Sequence, residues 1–444
     1  MPSKHTVGML CAILTTMQVI PSGSLKCFEI YTNELCNHFF ISRAKRNDVA
    51  LTAALNGEPS AKLRESVRED LLRSTGTFFT GAAISRGLFQ GLYQIEGAVD
   101  PSCGAGDLLI EVARRLPLKQ TFEETIENWS KLLSGCDIHQ EFVAAAKLRI
   151  CLVALQRGVP PPKSTLNVSR LLPNIVVEDG LLYEPVPKPR LVVMNPPYTR
   201  MIAPDYCSWG AGLVSSAALF VDRWLKVIPE GGRLVAILPD VLRTGSNYRL
   251  WRETVLKGRR LERVQILGRF DDFADVDVFR ADFVVEDGAT RPRDWIWWKA
   301  KCRMTIGKRF AIGVGTIVPH RDPKTGTRRA YLNAKAAPAW GTCSRLIAKI
   351  RTKRKLFKPP FVAVRRTSSP NDPARAIGTI VLGTRQVAVE NHLLVLTPFH
   401  RTLRECRKLI AVLKSRKTTK WLNRRIRCRH LTVEAVRDIP WWND

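Results

Sequence analysis

Asn195-Pro196-Pro197-Tyr198 follows the apolar run Leu191-Val192-Val193-Met194. The run is continuous rather than alternating, the pattern of a strand buried on both faces. Each proline fixes its own φ, and Pro196 pushes Asn195 out of the helical region. A polar amide is thus held stiffly at a strand's carboxyl end, with a phenol three residues on. In open α/β sheets that end is where ligands bind. Asn-Pro also marks an ordinary turn, and the tetrapeptide alone leaves both readings open.

Three earlier strand ends carry acids. Asp100 closes Ala98-Val99 and opens Pro101-Ser102-Cys103-Gly104-Ala105-Gly106-Asp107, a glycine loop before a helix predicted over Leu108–Leu116. Its glycines let the backbone approach a ligand, and the free amides of the helix start point toward it. The spacing is not Gly-x-Gly-x-x-Gly and no Lys-Ser/Thr closes it, which disfavours a dinucleotide and a P-loop nucleotide. Asp137 ends a second short strand before the apolar helix Glu141–Leu155. An acid there is where a doubly wound sheet contacts ribose hydroxyls. Asp179 follows a third strand, Asn174–Glu178. Any one of these acids suits a cap or a solvated surface. Four polar strand ends in chain order fall on one edge of a parallel sheet.

The elements that must position them are legible around these points. Cys27–Arg73 reads as a helical cap. The turn-rich Ser74–Gly81 opens a helix over Ala82–Leu92, with Thr80 as its expected N-cap. A helix over Ala217–Val227, a Gly231-Gly232 turn, the buried strand Arg233–Pro239, a helix over Tyr248–Leu256 and strands at Val264–Leu267 and Val278–Val285 continue the sheet. Phe270, Phe273 and Phe279 gather at its end.

Asp100-Pro-Ser-Cys-Gly-Ala-Gly106, Asp137, Asp179 and Asn195-Pro-Pro-Tyr198, in that order, resemble the S-adenosylmethionine-dependent N6-adenine DNA methyltransferases. Phe78-Phe79-Thr80 before the glycine loop resembles the opening motif of the gamma class, which includes type I modification subunits and Taq-type enzymes. Gly231–Leu256 also fits, and the resemblance covers roughly residues 70–290. Gly81 departs from it, standing where the family usually has proline. The resemblance implies a Rossmann-like methyltransferase sheet at 75–290, a helical N-terminal cap at 1–74 and a basic α+β DNA-recognition domain at 291–444. By the same resemblance Phe79 and Thr80 line S-adenosylmethionine, and Gly104–Gly106 approach its methionine portion. Asp137 holds the ribose and Asp179 the adenine amine, with Asp100, Pro101, Cys103 and Ile138 among the other cofactor contacts. No metal is implied.

Asn195-Pro-Pro-Tyr198 would then hold the target base. An exocyclic adenine amine is a poor nucleophile because its lone pair is delocalised into the ring. The Asn195 side-chain oxygen and the Pro196 carbonyl can each accept one amine hydrogen, drawing the nitrogen toward a tetrahedral form. Pro196 and Pro197 keep these acceptors preorganised. The base must leave the duplex, and Tyr198 can stack on it; Phe279 is a second candidate face, for which core packing is the competing role. N4-cytosine enzymes use related loops, often with serine first, so the asparagine leans toward adenine.

Charge separates the chain into two parts. The 444 residues carry a net charge of +30. From Arg291 to the end there are 36 Lys and Arg against 8 Asp and Glu, whereas the preceding residues hold 34 against 32. A basic region of that size, interspersed with Trp, Phe and Leu, reads as a folded nucleic-acid-binding domain, with membrane headgroups as the competitor. Arg365-Arg366-Thr367-Ser368 forms a basic, hydroxyl-rich loop suited to phosphate or base-edge contact. Arg401–Lys420 reads as one basic amphipathic helix, and a second basic patch contains Arg424 and Arg425. The expected partner is double-stranded DNA, with a restriction or specificity subunit alongside, since no nuclease motif is apparent. RNA or protein-glutamine methylation, or a non-catalytic DNA-binding role, are the alternatives.

Eleven cysteines are scattered without a Cys-x-x-Cys pair, which fits neither a zinc site nor a disulfide framework and points to the cytoplasm. Val7–Ile20 superficially resembles a signal peptide but is too short to span a bilayer; a short N-terminal helix or a start-site extension is expected there, and no membrane association.

Overall fold

The computed structural model describes residues 20–40, 48–164, 166–270, 276–286, 295, 302–323 and 325–442. The apolar run before Ile20 and Phe273 lie outside them. The chain divides into two units, Met1–Leu242 with Tyr248–Trp295, and Arg243–Asn247 with Ile296–Asp444.

In the first unit, helices α1 (Lys26–Phe40), α2 (Asp48–Ala54), α3 (Glu58–Ser66), α4 (Glu69–Thr75) and α5 (Gly81–Leu88) precede the sheet. There follow β1 (Ala98–Asp100), α6 (Asp107–Ala113), α7 (Phe122–Leu132), β2 (Leu133–Asp137), α8 (Gln140–Gln156), β3 (Ile175–Val177) and β4 (Leu191–Met194). A two-stranded ribbon, β5 (Arg200–Ile202) and β6 (Leu213–Ser215), leads into α9 (Ser216–Val227), β7 (Arg233–Pro239), α10 (Arg249–Thr254), β8 (Arg259–Arg269) and β9 (Asp277–Val285).

The seven sheet strands run in the order β3-β2-β1-β4-β7-β9-β8. β3 through β7 are parallel, while β9 is antiparallel to both β7 and β8. From β1 the chain moves outward to β2 and β3, then returns to place β4 on β1's other side. That reversal opens a crevice beyond the carboxyl ends of β1 and β4, the position where doubly wound sheets take ligands. Asp100 and Asn195 stand at its two lips.

The continuous apolar runs follow from burial on both faces. Val193, Val235 and Ile237 enter one apolar cluster with α1 to α4, α6, α7 and α8. Val192, Met194, Leu234, Ala236 and Leu238 enter a second with α9 and α10. The expected cap is therefore built into the same core as the sheet. Phe28, Tyr31, Leu35 and Phe39 form one buried face of α1, and the Phe28 ring lies 4.9 Å from Phe142 of α8 and 5.9 Å from Phe79.

The second unit is α+β. A five-stranded sheet has the order β10 (Phe310–Val314), β17 (Leu393–Pro398), β14 (Phe361–Arg365), β15 (Gly378–Val381), β12 (Thr342–Cys343). A three-stranded sheet combines β13 (Lys349–Thr352), β11 (Thr327–Leu332) and β16 (Val387–Val389). Val362 and Val364 face a cluster shared with α11 (Leu403–Lys414), α12 (Arg416–Arg425) and α13 (Val433–Arg437). Phe361 and Ala363 face the other side. The single helix expected over Arg401–Lys420 is instead α11 and α12. Ser415 is extended (φ −60°, ψ 133°) and its hydroxyl accepts the Lys417 N–H, so a cap interrupts the periodicity. Among the described residues no helix is long and apolar enough to cross a membrane.

Candidate functional site

A cavity of about 320 Å³ lies at the carboxyl edge of the first unit's sheet. Its wall includes Phe79, Thr80, Asp100, Pro101, Cys103, Gly104, Asp137, Ile138, Asp179, Asn195 and Pro197. Gly106, Pro196 and Tyr198 belong to the same two loops but are not among its lining residues. Gly106 (φ +88°) starts α6, and a Cβ there would press on Ala146. Gly104 (φ +50°) lies against the Phe79 ring, where a Cβ would crowd it. Gly180 packs so closely on the Pro101 carbonyl that a Cβ would collide with it. The loops after β1 and β3 are thus fused at one wall of the cavity.

Each acid is oriented by backbone amides. Asp100 Oδ1 accepts from the Ser102 N–H at 3.0 Å, and burial pushes its carboxyl up to about 8. Asp137 Oδ2 accepts from the Gly104 N–H at 3.1 Å. Its Oδ1 accepts from the His139 N–H at 3.0 Å and meets His139 Nδ1 at 3.0 Å. Asp179 Oδ1 accepts from the Leu181 N–H at 2.9 Å, and burial raises its carboxyl as well.

The Asn195 amide is fixed from both ends. Its Nδ2 donates to Thr80 Oγ1 at 3.1 Å and to the Phe78 carbonyl at 3.4 Å. Its Oδ1 accepts the Tyr198 hydroxyl at 2.7 Å; that hydroxyl also lies 3.2 Å from the Ile237 carbonyl. The half-buried Tyr198 ring packs edge-on to Phe270, with centroids 6.0 Å apart. Ser216 at the start of α9 anchors the far side of the loop by donating to the Pro197 carbonyl at 2.5 Å. Among the described residues no donor reaches the Pro196 carbonyl.

Thr80 does not cap α5. The Asp107 carboxylate does so, accepting the Gly81 N–H at 2.9 Å through Oδ2, which leaves the Thr80 hydroxyl for Asn195. Gly81 sits at φ +66°, a conformation closed to proline, so this turn cannot carry the residue usual in the family it resembles. Asp107 Oδ1 pairs with the fully buried Arg149 at 2.9 Å. Arg149 Nε and Nη2 donate to the Ala54 and Asn56 carbonyls at 2.7 and 3.2 Å, and Nη1 donates to the Ala105 carbonyl. One side chain of α8 therefore staples the N-terminal helices to the glycine loop.

Asp107, His139, Phe142 and Arg149 were not singled out in the sequence. An arginine in the middle of the apolar Glu141–Leu155 was the readable signal, because a buried charge needs partners.

Three expected nucleic-acid contacts are placed elsewhere. Phe279 is fully buried, its ring 6.3 Å from Trp295, and fills the core on the α9 side of the sheet. Arg425 is buried and paired with Asp438 at 3.2 Å and Glu434 at 3.5 Å. Ser368 is buried, its hydroxyl accepting from Arg375 Nε at 2.9 Å. Arg365 is half-buried and donates to the Ala337 carbonyl at 3.1 Å, Arg366 is half-buried, and Thr367 and Arg424 are exposed. No group of metal-ligating side chains occurs among the described residues.

No family model matches the sequence, and no curated protein is similar to it. Several solved structures are similar to parts of the chain. The type IIL restriction-modification enzyme MmeI, solved with DNA, is similar over 83% of this chain and 64% of its own, at 13% identity and a TM-score of 0.48. A chain from Listeria monocytogenes assigned to the class I S-adenosylmethionine-dependent methyltransferases is similar over 60% of this chain and 90% of its own, at 15% identity and a TM-score of 0.38. A type I restriction-modification methyltransferase subunit from Streptococcus thermophilus is similar over 53% of this chain, at 17% identity and a TM-score of 0.34. The present chain spans 50% of that subunit's length.

Proposed function

We propose that the chain transfers a methyl group from S-adenosylmethionine to the exocyclic N6 amine of an adenine extruded from specific DNA sequences, as the modification component of a restriction-modification system. The observation that carries this reading is the Asn195 amide, held by Thr80, Phe78 and Tyr198 on the wall of the cavity that Asp100, Asp137 and Asp179 also line. The cavity's volume falls in the range of small-molecule sites. Glycines bring its backbone walls close, and carboxylates at the strand ends suit hydroxyl and amine donors. These features fit S-adenosylmethionine, with Asp137 holding the ribose, Asp179 the adenine amine, and the Asp100–Gly106 loop the methionine portion. When bound, that cofactor supplies a methyl carbon already activated by its sulfonium.

The chain's own task is positioning and charge stabilisation. The Asn195 oxygen and the Pro196 carbonyl accept the hydrogens of the target amine, so its lone pair is directed out of the ring plane. Because Asn195 Oδ1 holds the Tyr198 hydroxyl, the arriving amine shares or replaces that bond. The half-buried Tyr198 is the residue proposed to stack on the base. Rigid acceptors matter here because reorganising them during the reaction would raise the barrier. The basic second unit engages the duplex, and a restriction or specificity subunit is the expected partner.

The reaction class is tested by incubating the protein with labelled S-adenosylmethionine and, separately, mixed-sequence duplex, RNA of the same sequence and a glutamine-containing protein. Label is expected in the duplex. Label in RNA or protein instead, or in none, contradicts the proposal.

A further inference from the structure

In the second unit three segments meet beyond the end of β14. Arg366 N–H donates to the His392 carbonyl at 2.9 Å, and the Leu431 N–H donates to the Arg366 carbonyl at 2.8 Å. Ser368 N–H donates to the Arg429 carbonyl at 2.9 Å, and Thr367 bridges His430 in antiparallel fashion. The Thr367 hydroxyl lies 3.2 Å from His430 Nδ1. Backbone pairing thus brings Arg366, His392, Arg429 and His430 together, with His392, Arg429 and His430 exposed.

A buried arginine makes this junction rigid. Arg375 donates through Nε to Ser368 Oγ at 2.9 Å, through Nη1 to Asn423 Oδ1 at 2.7 Å and the Ile426 carbonyl at 3.2 Å, and through Nη2 to the Cys428 carbonyl at 2.8 Å. The ordering cost of a flexible basic loop is thereby met during folding rather than on binding.

We propose that Arg366, His392, Arg429 and His430 form a contact for one backbone phosphate of bound DNA, engaged by the protonated His430 imidazolium. The proposal rests on the reading of the second unit as the DNA-binding part. Two independent features support it. The half-buried Arg366 has a buried Nε with no hydrogen-bond partner among the described residues, so its guanidinium charge is left for an anion to compensate. His430 is held below the ordinary histidine range by partial burial first, then by the positive charges of Arg366, His392 and Arg429, with no carboxylate among the described residues acting on it. A phosphodiester anion arriving there reverses the local field and favours the imidazolium. The diester does not titrate in this range, so the proton taken up on binding resides on the histidine.

The sign follows. Affinity is highest below the free-state pKa of His430, falls as pH rises through the interval up to its bound-state pKa, and is flat above it. The test uses the whole 444-residue chain and a mixed-sequence duplex of about two helical turns. Histidine Cε1 resonances, assigned with His430→Gln, are titrated with and without saturating duplex, and binding is followed by fluorescence anisotropy. The expected result is a higher His430 pKa with duplex and wild-type affinity that weakens severalfold between about pH 5.5 and about pH 8. His430→Gln should abolish that dependence and lower the salt slope by about one phosphate contact. His430→Lys should keep low-pH affinity while losing the pH dependence, which a purely structural histidine would not do. An unchanged His430 pKa on a bound duplex overturns this site and leaves the DNA-binding reading standing. No duplex binding at any pH overturns both.

Discussion

Asp100 is buried at the lip of the crevice with its carboxyl pushed up to about 8 by burial, so near neutral pH it holds a proton that a cationic ligand would expel. Two outcomes follow. The raised folded-state pKa means Asp100 contributes stability fully below about pH 4, its unfolded range, and that contribution is lost as pH rises through about 8. Thermal unfolding of the ligand-free protein should therefore show a declining component between these values that Asp100→Asn removes. Binding of S-adenosylmethionine, which carries sulfonium and ammonium charges, should release a fraction of a proton near pH 7, read by calorimetry in buffers of different ionisation enthalpy; Asp100→Asn should abolish the release. At this scale much was legible: polar residues closing apolar runs at Asp100, Asp137, Asp179 and Asn195 all line the cavity. The Thr80–Asn195 bond was not, because it depends on Asp107 taking over the cap of α5, a contact across 26 residues that periodicity does not encode. Thr80→Ala should lower the methylation rate by about tenfold, the scale of one lost orienting hydrogen bond, with cofactor affinity changed less than turnover.

Among the elements, α8 does the most to join sequence-distant parts. Arg149→Met leaves the Asp107 carboxylate buried without its ion partner and frees three backbone carbonyls. A loss of about 3–5 kcal/mol is expected, as for other broken buried pairs, measurable by chemical denaturation. The double variant Arg149→Met/Asp107→Asn should recover part of that loss. A single-variant loss below about 1 kcal/mol would mean the staple is solvated and unimportant. The parallel strands and their helices were readable because burial on both faces writes continuous apolar runs into the sequence. Helix ends in the basic third were not, since the Ser415 cap sits inside a stretch whose charge pattern continues unbroken from Arg404 to Lys420. The same stretch hid the structural role of Arg425: its ion partners on α13 and just beyond, Glu434 and Asp438, are invisible to a local reading.

The whole molecule combines an electrically balanced first part with a polycationic second one. If the basic unit binds duplex through phosphates, plots of log affinity against log salt should be linear and steep, with a slope of several units, each phosphate contributing about −0.9. A flat plot would show that the charge serves something other than DNA. Charge asymmetry was plain from composition, whereas the two small sheets of the second unit were not, because their strands are short and pair across long intervals, as β10 with β17 and β11 with β16. The central claim is that the Asn195 loop presents an adenine amine to a methyl donor held by the acid-tipped strand ends. It is tested most directly by sequencing duplex at single-base resolution after incubation with S-adenosylmethionine and either wild type or Asn195→Ala, with cofactor affinity measured in parallel. The account predicts N6-methyladenine at defined sites with wild type, none with Asn195→Ala, and similar cofactor affinity for both. Equal modification by the two proteins, or modification confined to cytosine, would contradict it.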